Sequence, residues 1–253
     1  DGLSAAEKER MTAYGADMSK YLDSGNEARI KKAYESRDPR LQMAVITPYA
    51  QYNGASSGIA HTYTLRWPYR GSDSAEPFDI RTDTNDKFYY LWRKFVPEGL
   101  EQTERDTYGL DIPLIRYAEV LLLKAEALNE WGSTHESEAI RCVNEVRRRA
   151  GHVELNNATY PATKVNGQSD LRERIRNEYY WEIGGEDSMY FHELRWGTWK
   201  DKKFDNNRNG LMQMWGETTY TWYWLGDQCW SWPIPAKEME MNSNLEQNEG
   251  WIN

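Results

Sequence analysis

Pro113-Leu-Ile-Arg-Tyr-Ala-Glu-Val-Leu-Leu-Leu-Lys-Ala-Glu-Ala-Leu-Asn-Glu-Trp-Gly132 reads as a helix that lies very close to a second helix. Ile115, Ala118, Leu122 and Ala125 recur at helical spacing, and Leu121 and Leu128 widen the stripe. Alanine on that stripe lets a partner backbone approach, and Gly132 is placed to end the helix in a left-handed conformation. From Glu136 the period resumes with Ala139, Val143, Val146 and Ala150. It closes on Arg147, Arg148 and Arg149, basic residues where the helix dipole favours positive charge. Two helices joined by about four residues form an antiparallel hairpin, roughly the size of one 34-residue tetratricopeptide unit. One such unit cannot bury its apolar face unaided, so further helices are expected to stack on it.

Those helices are sought on either side. Ser4 to Leu22 reads as a helix with Ser4 as N-cap and Glu7 completing a capping box, and a shorter one ends before Asp38-Pro39, which places helices near 4–36. Ser169 to Gly184 carries the stripe Leu171, Ile175, Tyr179 and Ile183 with Ser169 as cap. A short helix with Tyr190, Phe191 and Leu194 extends that region to 169–196, and the central hairpin occupies 113–151. Residues 41–104 and 197–253 lose the helical period, and stretches such as His61 to Trp67 and Lys87 to Arg93 suit loops and edge strands. The expected fold is mainly α: tetratricopeptide-like hairpins with long irregular, aromatic-rich loops and short strands, all in one domain over 1–253. Loops that long on a helical scaffold carry function or cover it as a shell.

The chain has 12 Trp and 17 Tyr against 5 Phe, an imbalance that favours rings with one polar edge and points to a binding protein. Its formal charge of −9 argues against a nucleic-acid partner. No run of 18 apolar residues is present to span a bilayer. Cys142 and Cys229 are too few and too far apart for a disulfide framework or a zinc site. Because the chain starts at Asp1 rather than Met, a preceding segment is expected.

Arg37-Asp-Pro-Arg-Leu41, the helix from Pro113 to Asn129, Val143-Asn-Glu-Val-Arg-Arg-Arg-Ala-Gly151 and Ile175-Arg-Asn-Glu178 occur in one order with four further motifs. These are Glu182-Ile-Gly-Gly-Glu186, Leu194-Arg-Trp-Gly197, Trp232-Pro-Ile-Pro-Ala-Lys-Glu238 and Asn244-Leu-Glu-Gln-Asn-Glu-Gly250. Together, from about Arg37 to Gly250, the chain resembles the SusD/RagB family. The resemblance implies a SusD-like α superhelix and a non-enzymatic, lipid-anchored glycan-binding protein on the outer membrane of Bacteroidota-type bacteria. It also implies a SusC-like TonB-dependent transporter as partner, to which the glycan is handed. Family members are longer, so the chain resembles their C-terminal half, with the N-terminal half and the lipidated cysteine expected upstream. Asn177-Glu178-Tyr179-Tyr180 and Met189-Tyr190-Phe191-His192-Glu193 depart from the family's usual Asn-Glu-Arg-Arg and Arg-Trp-Phe-Asp-Leu. No sugar-contact residue carries over from the family to this sequence.

A glycan site needs exposed rings to stack on C–H faces and polar groups for the hydroxyl rim. Tyr63, Trp67 and Tyr69, in Tyr63-Thr-Leu-Arg-Trp-Pro-Tyr-Arg70, are candidates, as are Trp215 and Trp222 near Asn206, Asn207 and Glu217. The competing reading is that these rings pack on the helices, in which case the protein is a structural or protein-binding platform. Trp230 and Trp232, beside Pro233, read as core. A glycoside hydrolase would need two carboxylates, for which Glu182 and Glu186 are the candidates. Arg172, Arg174, Arg176 and Arg195 nearby suggest an ion-pair network in their place. His61, His135, His152 and His192 have no metal-ligand spacing. Asp205, Asn207 and Asn209 imitate the start of a calcium loop, but Gly216 stands where a bidentate Glu is needed. No cofactor is expected.

Overall fold

A computed structural model of the protein describes residues 32, 34–35, 37–47, 49–56, 59–66, 79–81, 91–99, 111–186, 188–203 and 224–251. Aspartate before proline starts α1 (Pro39–Ala44): the Asp38 carboxylate accepts the Arg40 backbone N–H at 2.9 Å, and Pro39 stands where the first turn needs no N–H. Five strands follow among the described residues: β1 (Val45–Ile46), β2 (Gln51–Ser56), β3 (Ile59–Arg66), β4 (Asp79–Arg81) and β5 (Leu91–Trp92). β1 and β5 form an antiparallel ribbon, Val45 opposite Trp92. β2 and β3 form an antiparallel hairpin, Gln51 opposite Thr64, and β4 joins β3 in parallel, Leu65 opposite Ile80. Tyr52 and Leu65 are buried while Asn53 and Thr62 are exposed, the alternation of a sheet with one covered face. The Tyr52 hydroxyl donates to the Pro97 carbonyl at 2.7 Å and ties the hairpin to the segment after β5. The stretch read as loop and edge strand thus holds a regular hairpin.

The helical framework is α2 (Tyr117–Trp131), α3 (Glu136–Arg149) and α4 (Gln168–Ile183), with α2 packed against both others. Leu122 and Ala125 from α2, Ala139 and Val143 from α3, and Leu171, Tyr179 and Ile183 from α4 are completely buried. Small residues at two of these positions keep the helix axes close. Gly132 ends α2 at φ 137° and ψ 171°, a glycine conformation more extended than the expected left-handed cap, and leads into a 3-10 turn over Ser133–His135.

Two expectations about helix starts are corrected here. Ile115 is 73% exposed, because α2 begins at Tyr117 with Arg116 as its extended N-cap, so Ile115 precedes the helical stripe. Ser169 is not the cap of α4, which begins one residue earlier after Gly167; the Asp170 carboxylate reaches back to the Asn166 N–H at 2.8 Å. The helix expected at 4–22 lies outside the described residues.

Buried polar groups tie the loops to the helices. The Asn144 side chain accepts the Leu155 N–H at 2.7 Å and donates to the Leu155 carbonyl at 3.2 Å. Asn129 and Gln168 exchange side-chain-to-backbone bonds of 3.2 and 2.8 Å, which fastens the end of α2 to the start of α4.

Chain contacts divide the protein into two compact units, residues 1–189 and 190–253, with the boundary inside α5 (Ser188–Arg195). The second unit contains α6 (Trp199–Lys203), a 3-10 turn over Asp227–Trp230 and α7 (Ala236–Met241). Gln247 accepts the Ile234 N–H at 2.8 Å and donates to the Ile234 carbonyl at 2.9 Å, and Asn248 donates to the Trp232 carbonyl at 2.6 Å. One quoted motif therefore straps the other. Trp232, read as core from its sequence, is 70% exposed; its indole N–H finds an acceptor at the surface, the Tyr190 hydroxyl at 3.1 Å.

Truncating the fully buried Leu122 to Ala should cost about 2–5 kcal/mol, whereas Val120→Ala, at a half-exposed position of the same helix, should cost less than about 0.5 kcal/mol. Urea unfolding of the two variants measures the difference.

Candidate functional site

A groove of about 490 Å³ is walled by Tyr34, Gln42, Thr47, Gln51, Thr64 and Arg93. Its position follows from strand register. Gln51 and Thr64 are directly paired across the hairpin and share one face, and alternation turns Tyr63 to the other. The Tyr63 ring covers Gly54, where an added Cβ would come within 2.7 Å of it, and meets His61 edge-on at 6.3 Å between centroids. Tyr63 is half-buried in this arrangement. Tyr49, buried on the groove side, has φ 62°, a sparsely populated conformation for tyrosine; its N–H donates to the Leu65 carbonyl at 2.6 Å. Arg93 is held by Glu98, with Nη2 2.9 Å from Oε2, and the guanidinium keeps the Glu98 carboxyl below its ordinary value of 4.5. Amides, hydroxyls, a guanidinium and a tyrosine around one concavity match a ligand with a hydroxyl rim. Trp67, Tyr69, Trp215, Trp222 and the calcium candidates Asp205, Asn207 and Asn209 lie outside the described residues.

Beside α1 lies a network of buried ion pairs. Glu178 is completely buried and accepts Arg40 and Arg147 at 2.7 Å each. Glu182, 4% exposed, accepts Arg40 at 3.1 Å, Arg116 at 3.0 Å and Arg149. Glu186 accepts Arg116 at 2.7 Å and also pairs with Lys94. Asp38 closes the other end on Arg40 at 2.6 Å. Lys94 is delivered because its N–H and that of Arg93 both bond the Ala44 carbonyl at the end of α1. Burial alone would raise the Asp38 and Glu186 carboxyls, but hydrogen bonds from Arg40 to Asp38, and from Arg116 and Lys94 to Glu186, outweigh it and hold both below their ordinary values.

This network bears on the paired-carboxylate reading of Glu182 and Glu186. A general acid needs its carboxyl raised by its surroundings, and Glu186 is lowered. An ion-pair network is present as expected, but its partners differ from those expected: Arg172, Arg174 and Arg176 pair with Glu130, Asp170 and Glu173. The true partners are Arg40, Arg116 and Arg149 for Glu182 and Arg116 and Lys94 for Glu186; the three arginines sit in stretches already visible in the sequence, Arg37-Asp-Pro-Arg40, Pro113 to Asn129 and the arginine run of α3. What their sequence lacked was any sign of which distant glutamate they would meet.

Two exposed indoles stand on the helices, Trp181 at 46% and Trp131 at 76%, the latter stacked on His135 with centroids 4.4 Å apart. Among the described residues no group of three or more His, Cys, Asp or Glu is arranged to hold a metal ion, and no helix is long and apolar enough to cross a membrane.

The sequence model of the SusD family matches residues 10–251. A SusD-like protein of Formosa agariphila is 32% identical over 139 residues, 54% of this chain and 24% of its own length. The starch-binding protein SusD of Bacteroides thetaiotaomicron is 28% identical over 161 residues, 63% of this chain and 25% of its own. Among solved structures, a SusD-like protein from Bacteroides fragilis superposes with a TM-score of 0.61 at 22% identity, over 96% of this chain and 46% of that one. A SusD-like carbohydrate binding protein from the same species gives 0.53 at 24% identity, over 89% of this chain and 44% of that one. The chain thus spans about a quarter of the curated relatives and under half of these solved chains. At such identities the structural likeness establishes the fold, a mainly helical one with few short strands.

Replacing Glu178 by Gln leaves Arg40 and Arg147 short of a buried counter-charge and should cost about 3–5 kcal/mol at neutral pH. Because Asp38 and Glu186 are lowered in the folded state, their contribution is present above the ordinary values of 3.8 and 4.5 and is lost as pH falls below them through the folded values. Thermal unfolding of both proteins from pH 7 to pH 3 reads the two effects, and an unchanged midpoint for Glu178→Gln would contradict the assignment.

Proposed function

The chain belongs to the SusD family, and from that premise we propose that it binds oligosaccharide or polysaccharide without reacting with it, at the outer surface of a lipid-anchored, outer-membrane assembly. On this reading the bound glycan passes to a SusC-like TonB-dependent transporter. The family match over residues 10–251 carries the proposal. The groove beside the β2–β3 hairpin supports it, since its polar groups and tyrosine suit a hydroxyl-bearing ligand. Commitment of Glu182 and Glu186 to basic partners speaks against a hydrolase. Trp67, Tyr69, Trp215 and Trp222 are the proposed stacking residues, with Tyr63, which faces away from the groove, as a separate proposed contact on the other face of the hairpin.

A second reading, a protein-binding helical platform, is favoured by one observation. The side of α2 turned away from its buried stripe exposes Tyr117, Val120, Leu123 and Trp131. Helices of the portion of the relatives that this chain does not span are the proposed partners for that side.

Tryptophan fluorescence during titration with xylan, pectin, mannan, glucan and starch oligomers separates the readings. A saturable change with at least one is expected, and none with any would leave the platform reading. Trp67→Ala and Trp215→Ala should each weaken binding about fivefold, equivalent to about 1 kcal/mol of stacking, with unfolding midpoints unchanged. Full affinity in both variants removes these residues from the site.

A further inference from the structure

A second concavity, of about 260 Å³, lies at the outer edge of the ion-pair network and is lined by Arg40, Lys94, Arg116, Arg149, Trp181 and Glu182. Its charge is unlike that of the rest of the chain. The connected network sets five cations, Arg40, Lys94, Arg116, Arg147 and Arg149, against four carboxylates, Asp38, Glu178, Glu182 and Glu186. His152 adds no charge at neutral pH, since burial and the neighbouring Arg147 push its imidazole below 6.5. One positive charge is therefore left over, in a protein whose formal net charge is −9.

The surplus has an address. Glu182 is buried and saturated by Arg40, Arg116 and Arg149, so it does not attract a further cation. The Arg149 side chain is 60% exposed and spends only Nη2 on Glu182; Nε and Nη1 have no partner among the described residues. Nε and Nη1 sit on different edges of the guanidinium, so they form no fork, but each is a charge-assisted donor that can reach an oxygen of a carboxylate or sulfate. Trp181, the residue before Glu182, brings an indole to the same concavity. It is half-exposed and steadied edge-on by His152, with centroids 6.0 Å apart. An exposed cationic donor beside a flat apolar face is the pairing that recognises an acidic pyranose, which has a charged substituent on a ring with C–H faces.

We propose that this concavity receives an acidic sugar residue, its carboxylate or sulfate on Arg149 and its ring against Trp181. The inference rests on the reading of the protein as a glycan binder and specifies the charge of the glycan. Calorimetric titration of the full chain with three oligosaccharides of equal length tests it: an unsubstituted oligoglucoside, an oligogalacturonate and a sulfated oligogalactoside. At least one acidic ligand should bind ten times more tightly than the neutral one, and that advantage should shrink with added salt. Arg149→Gln should abolish the advantage, Arg149→Lys should restore part of it, and Trp181→Ala, which leaves every charge in place, should weaken the acidic ligand about fivefold. Whichever acidic ligand responds distinguishes carboxylate from sulfate. Neutral binding without acidic preference, or acidic binding indifferent to both Arg149→Gln and Trp181→Ala, overturns the proposal while the glycan reading stands. Absence of binding to all three also overturns the proposal, and the glycan reading is then decided by the titration with xylan, pectin, mannan, glucan and starch oligomers.

Discussion

Two glutamate carboxylates one helical turn apart on α4, Glu178 and Glu182, are withdrawn from water, and the placement of the surrounding elements follows from that. Each buried carboxylate forfeits several kcal/mol of hydration, so it persists in the core only if donors surround it. The donors come from different parts of the chain: Arg40 from α1, Arg116 from the N-cap of α2, and Arg147 and Arg149 from the last turn of α3. Apolar stripes hold α2, α3 and α4 together without strong directional preference. Charge pairing adds direction, because an arginine left without its carboxylate in the same interior would be as costly as the reverse.

That constraint carries outward to the surface features. Arg40 belongs to the first turn of α1, and α1 runs straight into β1, whose partner strand β5 is followed directly by Arg93 and Lys94. Lys94 returns to Glu186 and to the carbonyls of Glu182 and Gly184, closing the circuit on the end of α4. Arg93, its neighbour, enters the wall of the larger groove with Gln51 and Thr64 of the hairpin. These two concavities, both lined by described residues of the first unit, are thus opposite products of one anchored segment. One is polar and hydroxyl-matching; the other is cationic with an indole at its rim.

Much of the helical framework was legible because a 3.6-residue period is a local signal. Leu171, Ile175, Tyr179 and Ile183 form a stripe on paper and are all buried in the fold. Ile115 fails for a local reason too: the apolar pattern starts before the helix does. The ion network was not legible in detail, since Arg40 and Glu178 are 138 residues apart and nothing in composition marks them as partners. Nearby arginines on α4 were the natural guess, and they find other carboxylates at the surface. The groove was missed for a related reason, as Gln42, Gln51 and Thr64 carry no motif and acquire meaning only through strand register. Indoles were hardest of all, because a ring with an apolar body and a polar edge is at home on either side of the surface; Trp232 shows the outer choice.

The most direct test of the buried charge constraint is a double-mutant cycle between Arg147 and Glu178, using Arg147→Met, Glu178→Leu and the double variant, read by urea unfolding. The account predicts that the double variant is more stable than the sum of the single losses allows, with a coupling of about 1–3 kcal/mol. Strictly additive losses would contradict it.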